Sequence, residues 1–212
     1  MDKSEKFWDN MASKYDKTEN RFEKINIKIL EHTQKYLKEN DVLLDFGCAT
    51  GAKALKLTNF VKQIHGIDIS NKMIENAKKN AALQKIANIA FTKATIFDEN
   101  LRDESYDVIL GYNMLHGLED TQKIMQRISE LLVSGGLFIS VTPCMKEQMS
   151  FLSKLQLPLF LFLIKVSALP NVLIRYKFKE LENLINDAHL QIIDTEIFHN
   201  WMSNYFIVAQ KS

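Results

Sequence analysis

The sequence is short of cysteine, of net charge and of long apolar runs, and each shortage excludes something. Its two cysteines, Cys48 and Cys144, cannot make a disulfide scaffold and lack the spacing of a metal site. Across 212 residues, 27 Lys+Arg against 26 Asp+Glu leave a net charge of +1. That balance lacks the electrostatic footprint of a nucleic-acid binder, and none is expected as a partner. The most apolar stretch, LQLPLFLFLIKVSALPNVLI from Leu155 to Ile174, is broken by Lys165 and two prolines. Its longest piece free of charged and polar side chains, Leu157 to Ile164, is far short of the ~20 residues of a membrane-spanning helix, so no transmembrane segment is expected. The start, Met1-Asp-Lys-Ser-Glu-Lys, has no apolar core, so the expectation is no signal peptide and a reduced, cytoplasmic setting. There is no internal repeat and no low-complexity segment.

What is present is ordinary globular composition, 46% hydrophobic and 25% charged. A chain of this length can bury roughly 70% of its unfolded surface in one core, so a single domain over 1–212 is the expectation. Charge is unevenly spread. Residues 1–40 carry seventeen charged side chains, whereas 148–174 carry two, Lys154 and Lys165.

Periodicity predicts helices through the first forty residues, with Phe7, Trp8, Met11 and Tyr15 on one face. Val42–Phe46 then reads as a buried parallel strand, followed by a helix over about 52–61 and a strand at Gln63–Asp68. Ser70 stands at an N-cap position before a helix through Met73, Ile74 and Ala77. Asn88–Ala94 and Tyr106–Gly111 read as strands. A helix with Ile124, Ile128, Leu131 and Leu132 is expected to stop at Ser134-Gly135-Gly136, ahead of a fifth strand at Leu137–Val141. Strands alternating with helices imply right-handed βαβ units and a parallel sheet covered on both faces. After residue 175 the rhythm changes to a helix (about Lys179–Ala188), a strand (Gln191–Phe198) and a last strand (Tyr205–Ala209), most simply an antiparallel hairpin.

The loop Asp45-Phe-Gly47-Cys-Ala49-Thr-Gly51 concentrates the chemistry. Small residues after a first strand let the backbone approach a ligand, and the following helix presents free amides. Asp68, twenty-one residues past Gly47 at the end of the second strand, suits a carboxylate that accepts from ribose hydroxyls. A tight strand-to-helix turn with a helix-flanking carboxylate is the plainer alternative. A dinucleotide fingerprint is met only weakly by Gly47, Ala49 and Ala52, whereas D-x-G-x-[GA]-x-G fits.

At these residues the chain resembles the class I S-adenosylmethionine-dependent methyltransferases. VLLDFGCATG is similar to their first motif, HGIDIS to the second-strand motif, SYDVILGYNMLHGL to the fourth-strand region and LLVSGGLFISVTP to the helix and fifth strand. The closing NYFIVAQK resembles their last strand, and FWDNMASKYDK the N-terminal cover helix of the ubiquinone/menaquinone and small-molecule branch. The matches run from about residue 6 to 211, with 145–175 poorly covered.

The resemblance implies a Rossmann-like, doubly wound α/β fold of seven strands in the order 3-2-1-4-5-7-6, the seventh antiparallel, with an N-terminal cover helix over 1–40. It implies S-adenosylmethionine as cofactor, S-adenosylhomocysteine as product and no metal. The backbone at Gly47, Cys48, Ala49 and Gly51 would lie against the methionine part, Asp45 would orient the loop and the amino group, and Asp68 would hold the ribose. Ile69 and Met73 would pack on the adenine, beside Thr95 and Ile96; Asn113 would line the methionine end and Tyr15 would close over it. Two departures stand out. Ala49 replaces a glycine, and Ala94-Thr95 stands where relatives often have Gly-Asp, so the adenine contact is the weakest carry-over.

His116, after the fourth strand, is the candidate general base; its alternative is a helix-initiating or substrate-lining residue with no proton role. Tyr112 is a weaker candidate and reads better as core or cofactor wall. His32, His65, His189 and His199 share no metal-ligand spacing and read as structural. The segment 145–175 lies between strands five and six, where the family commonly covers its acceptor. Phe151, Leu155, Leu159, Phe160 and Phe162 would make it an apolar helical lid; completion of the core or a dimer surface are the alternatives. Trp201 reads equally as hairpin packing or as contact with a second copy, which leaves a homodimer open. The expected activity is methyl transfer to a small, apolar or aromatic, quinone-precursor-like acceptor. The rival classes are a catalytically silent S-adenosylmethionine-binding regulatory protein and a nicotinamide-dependent oxidoreductase.

Overall fold

The computed structural model describes residues 3–144, 146–147, 176–199 and 203–212. The lid residues Phe151, Leu155, Leu159, Phe160 and Phe162, and Trp201, lie outside them.

Seven strands form one sheet: β1 (Val42–Phe46), β2 (Gln63–Asp68), β3 (Ile89–Lys93), β4 (Tyr106–Tyr112), β5 (Leu132–Pro143), β6 (Leu190–His199) and β7 (Ser203–Lys211). Their order is β3-β2-β1-β4-β5-β7-β6, as the resemblance implies. The first five pair in parallel, while β7 runs antiparallel to both β5 and β6.

Alternation along the strands sorts the core onto two faces. Leu43, Ile64, Val108, Leu110 and Phe206 point to one, where Ile29 and Leu30 of α3 (Glu23–Gln34) meet Ala54 and Leu57. Leu44, Phe46, Ile109 and Phe138 point to the other. There they pack on Ile124, Ile128 and Leu131 of α5 (Thr121–Leu131) and on Leu181 and Ile185 of α6 (Phe178–Asn186). Each such side chain contributes about 1.5–3 kcal/mol on burial. Between β2 and β3 runs α4 (Asn71–Leu83), whose Ile74 and Ala77 cover Phe91. Ser70 caps it as expected, its Oγ accepting from the Met73 amide at 3.1 Å.

Three expectations need correction. The helix over 52–61 is a 3-10 segment, Ala54–Phe60. Gly135-Gly136 does not end a helix: α5 stops at Leu131, and β5 starts at once because Leu132 is fully buried opposite Tyr106. The glycines fall instead in a break of register between Leu132 and Leu137. No helix is found among residues 94–105, so the β3–β4 connection breaks the strand–helix alternation. No helix among the described residues is long and apolar enough to cross a membrane.

Candidate cofactor site

The site begins where β1 runs out. Gly47, Ala49 and Gly51 all have positive φ, at +77°, +48° and +74°, so the loop winds through alternate left-handed residues. The Gly47 and Cys48 amides both donate to the Ile67 carbonyl, at 2.8 and 3.0 Å, folding the loop against β2. A Cβ at Gly47 would stand 2.0 Å from Met114 Sδ, so the side chain of Met114 fills the space that the first glycine leaves. At Gly51 it would stand 2.5 Å from the Phe91 ring, so that glycine serves the contact between loop and β3.

Asp68 ties the loop to the next helix. Its Oδ2 accepts the Ala49 amide at 3.0 Å and its Oδ1 the Ser70 amide at 2.8 Å. Burial raises its pKa, and these amides pull in the opposite direction. Each carboxylate oxygen keeps further acceptor capacity, which is what two ribose hydroxyls would use.

Asp45 is 4% exposed. Burial pushes its carboxyl up to about 7, against the opposing pull of Lys53 and with added repulsion from Asp68. On the same side, Thr33 Oγ1 donates to the Ile29 carbonyl at 2.8 Å, which leaves the Tyr112 hydroxyl to donate to Thr33 at 2.5 Å. Tyr112 is therefore fixed as a wall and does not offer a free proton donor.

The N-terminal helices α1 (Lys3–Met11) and α2 (Tyr15–Glu19) lie over this loop. Trp8, Met11, Ala12 and Tyr15 pack on Ala49 and Met73. Polar contacts fasten them: Ser70 Oγ donates to Asp9 at 2.6 Å, Thr50 Oγ1 donates to Asp16 at 2.5 Å, and Lys53 pairs with Glu19. Tyr15 is held far from ionisation by burial and by the carboxylates Glu19, Asp68, Asp45 and Asp16.

The cleft beneath this cover is lined by Tyr15, Glu19, Asn26, Asp45, Gly47, Cys48, Ala49, Lys53 and Tyr112, among others. Of the residues proposed from sequence it brings together Tyr15, Asp45, Gly47, Cys48 and Ala49, with Asp68 one hydrogen bond behind. The others fall elsewhere. Gly51 faces Phe91. Ile69 is half-buried beside Asp68 and is not part of the lining. Met73 is covered by α1, and Ile96 is packed in the core with Phe46 and Ile67. Thr95 is exposed and its hydroxyl accepts the Phe97 amide at 3.3 Å. Asn113 is exposed in a left-handed turn. Sequence reasoning missed Lys53, Glu19, Asn26 and Met114. Only Lys53, two residues past Gly51, carried a usable signal.

Cys48 and Cys144 are buried thiols pushed well above the ordinary range, so neither suits a nucleophile. His116 sits in a 3-10 turn, Leu115–Gly117. Burial lowers it to about 4, and its Nδ1 is buried with no hydrogen-bond partner among the described residues. An imidazole so depressed is a poor proton acceptor at neutral pH. The other histidines are structural where their contacts show. His32 joins α3 to Asp194 and Glu196 of β6, and His65 bridges Tyr106 and Thr92. No group of three or more His, Cys, Asp or Glu suited to a metal occurs among the described residues.

Residues 37–199 match the family model described as "Methyltransferase domain". The chain is 26% identical over 122 residues to the "Uncharacterized methyltransferase YcgJ" of Bacillus subtilis, covering 55% of this chain and 48% of that one. It is 28% identical over 202 residues to the carboxy-S-adenosyl-L-methionine synthase of Desulfotalea psychrophila, covering 84% and 78%. The chain spans about half or less of the first curated relatives it matches. Among solved structures, the complex between the Haloferax volcanii Trm112 methyltransferase activator and the putative methyltransferase superposes with a TM-score of 0.74 at 16% identity, over 96% of both chains. That last likeness is one of fold. With 163 of its 212 residues under the family model and a sheet in the order 3-2-1-4-5-7-6, the chain belongs to the methyltransferase-domain family of class I S-adenosylmethionine-dependent methyltransferases.

Proposed function

We propose that the chain transfers a methyl group from S-adenosylmethionine to a small acceptor of apolar or aromatic character, a quinone precursor or similar ring compound. The observation that carries the cofactor half is the buried Asp45 carboxyl at the floor of the cleft, beside a loop that Asp68 holds by the Ala49 amide. A carboxyl that burial has made reluctant to ionise gains most from a ligand ammonium, and the cofactor's methionine end supplies one. Bound there, S-adenosylmethionine supplies an electrophilic methyl group on a sulfonium.

The chain's own residues have three tasks. Asp45 holds the amino group of the cofactor and Asp68 its ribose. The cover carrying Trp8 and Tyr15 excludes water. The wall at Tyr112 and Met114 sets the approach of the acceptor, and such alignment can account for roughly 7–11 kcal/mol of a barrier. His116 fits a neutral lining residue better than a base. Accordingly His116→Gln should lower kcat less than about tenfold, against the 10²–10⁴-fold of a lost general base, in a steady-state assay.

Support for an apolar acceptor comes from the sequence of 148–174, with two charges in twenty-seven residues. The test is S-adenosylhomocysteine formation from S-adenosylmethionine with cell extract split into lipid-soluble and water-soluble fractions. Product with the lipid fraction alone is expected. Product with the aqueous fraction alone keeps the methyltransferase and sinks the apolar acceptor. Cofactor binding with no product in either supports the catalytically silent protein instead.

A further inference from the structure

Among the described residues, Lys53 is the one half-buried cation on the wall of the cleft. The other lysine of the lining, Lys56, is exposed, as is the acidic Glu23. The Lys53 side chain is 19% exposed, and the carboxylate of its partner Glu19 is 22% exposed. Glu19 also accepts from Asn26 Nδ2 at 3.3 Å, so both partners are held against the cleft. Lys53 acts electrostatically on Asp45 as well. One wall thus presents a carboxyl and an ammonium together, complementary to an α-amino-acid zwitterion. The carboxylate now on that ammonium comes from the N-terminal cover.

We propose that Lys53 receives the α-carboxylate of the methionine end of the cofactor and that Glu19 is its built-in competitor, exchanged for that carboxylate on binding. This rests on the methyltransferase reading above. The exchange is of like for like. Breaking a largely buried ion pair is costly when a charge is left alone, and here the incoming carboxylate takes the place of the outgoing one. Glu19 ends α2, the same short helix in which Asp16 accepts from Thr50, so its release loosens the cover at the point where a ligand would enter. Ligands lacking the amino-acid end would leave the Glu19–Lys53 pair closed and gain nothing from Lys53.

The decisive probes are S-adenosylhomocysteine, which carries the zwitterion, and 5′-methylthioadenosine, which lacks it, titrated calorimetrically into the full chain. Lys53→Met should weaken S-adenosylhomocysteine about tenfold or more and 5′-methylthioadenosine less than about twofold. Lys53→Arg should restore most of the loss. Glu19→Gln, which frees Lys53 at a partly exposed position and keeps the side-chain shape, should tighten S-adenosylhomocysteine about two- to fivefold without changing the other ligand. Equal losses for both ligands in Lys53→Met, no loss for either, or weaker S-adenosylhomocysteine binding in Glu19→Gln would each overturn the proposal. If the unaltered chain binds neither nucleoside, the methyltransferase reading falls and takes this one with it. If it binds both and the variants do nothing, only the role of Lys53 and Glu19 falls.

Discussion

Two loops leave the same end of the sheet, one after β1 (residues 47–51) and one after β3 (residues 94–98), and they are built differently. The first has three left-handed residues, two amides on the Ile67 carbonyl, a third on Asp68, and α1 and α2 packed over it. The second buries Ile96 in the core, leaves Thr95 exposed and spends the Thr95 hydroxyl on its own turn. A loop fixed by neighbours on every side can hold a ligand without reordering itself, whereas one fixed by its own turn can give way. On the proposed reading, the methionine end of the cofactor would rest on the fixed loop after β1, beneath a cover that exchanges Glu19, and the adenine end would meet the loop after β3.

The sharpest way to break that contrast is at Gly51. Alanine there meets both a φ of +74° and the Phe91 ring at 2.5 Å, and Phe91 is buried with Ala77 close behind. Gly51→Ala should therefore destabilise the fold by about 3 kcal/mol, through backbone strain and overpacking combined. Urea unfolding measures it, and a change under 1 kcal/mol would mean the loop yields as readily as its counterpart.

Residue chemistry explains why the first loop could be read from sequence and the second could not. A left-handed, closely packed turn demands glycine or another small residue, so Gly47, Ala49 and Gly51 announce it. Apolar runs such as Val42–Phe46 announce strands buried on both faces, whereas the sheet order comes from the family resemblance alone. The loop after β3 demands only an apolar residue at Ile96, and Ala94-Thr95 carries no sign of the adenine. Tertiary packing decided the other misses. Leu132 looks like the end of a helix by periodicity, yet burial against Tyr106 makes it the first residue of a strand. The Glu19–Lys53 pair joins residues thirty-four apart through a cover whose placement no local pattern encodes.

Asp68 is where the proposed cofactor would meet the residue that holds the loop after β1. Asp68→Ala removes the acceptor of the Ala49 and Ser70 amides together with the proposed ribose site. S-adenosylhomocysteine binding should weaken by about 1–3 kcal/mol, the scale of lost charged hydrogen bonds. Unchanged affinity in a folded variant would move the ribose elsewhere.

Asp45 sharpens the comparison through pH. Its folded carboxyl titrates near 7, whereas an ordinary aspartate does so near 3.8. The folded chain therefore keeps a proton that the unfolded chain releases, and stability present below the ordinary value is lost as pH rises through about 7. Ligand binding runs the other way, because an ammonium prefers the ionised form. Between pH 6 and 8, S-adenosylhomocysteine affinity should rise several-fold while stability in its absence falls by on the order of 1 kcal/mol. Asp45→Asn should flatten both slopes and weaken binding. Parallel slopes for stability and affinity would show that Asp45 does not meet the ligand.

The smallest effect is expected at Thr95, and it tests the loop after β3 directly. Thr95→Val removes a hydroxyl that accepts one long hydrogen bond, 3.3 Å from the Phe97 amide, at an exposed position. An exposed interaction of that length contributes little, so stability should change by less than about 0.5 kcal/mol. S-adenosylhomocysteine affinity should change by less than about threefold, because a backbone carbonyl or amide of an adaptable loop can serve the adenine as well as the side chain. A loss of tenfold or more in calorimetric titration would make Thr95 the adenine contact. The loop after β3 would then be as specific as the loop after β1, with its specificity carried by one hydroxyl and none of it by backbone shape.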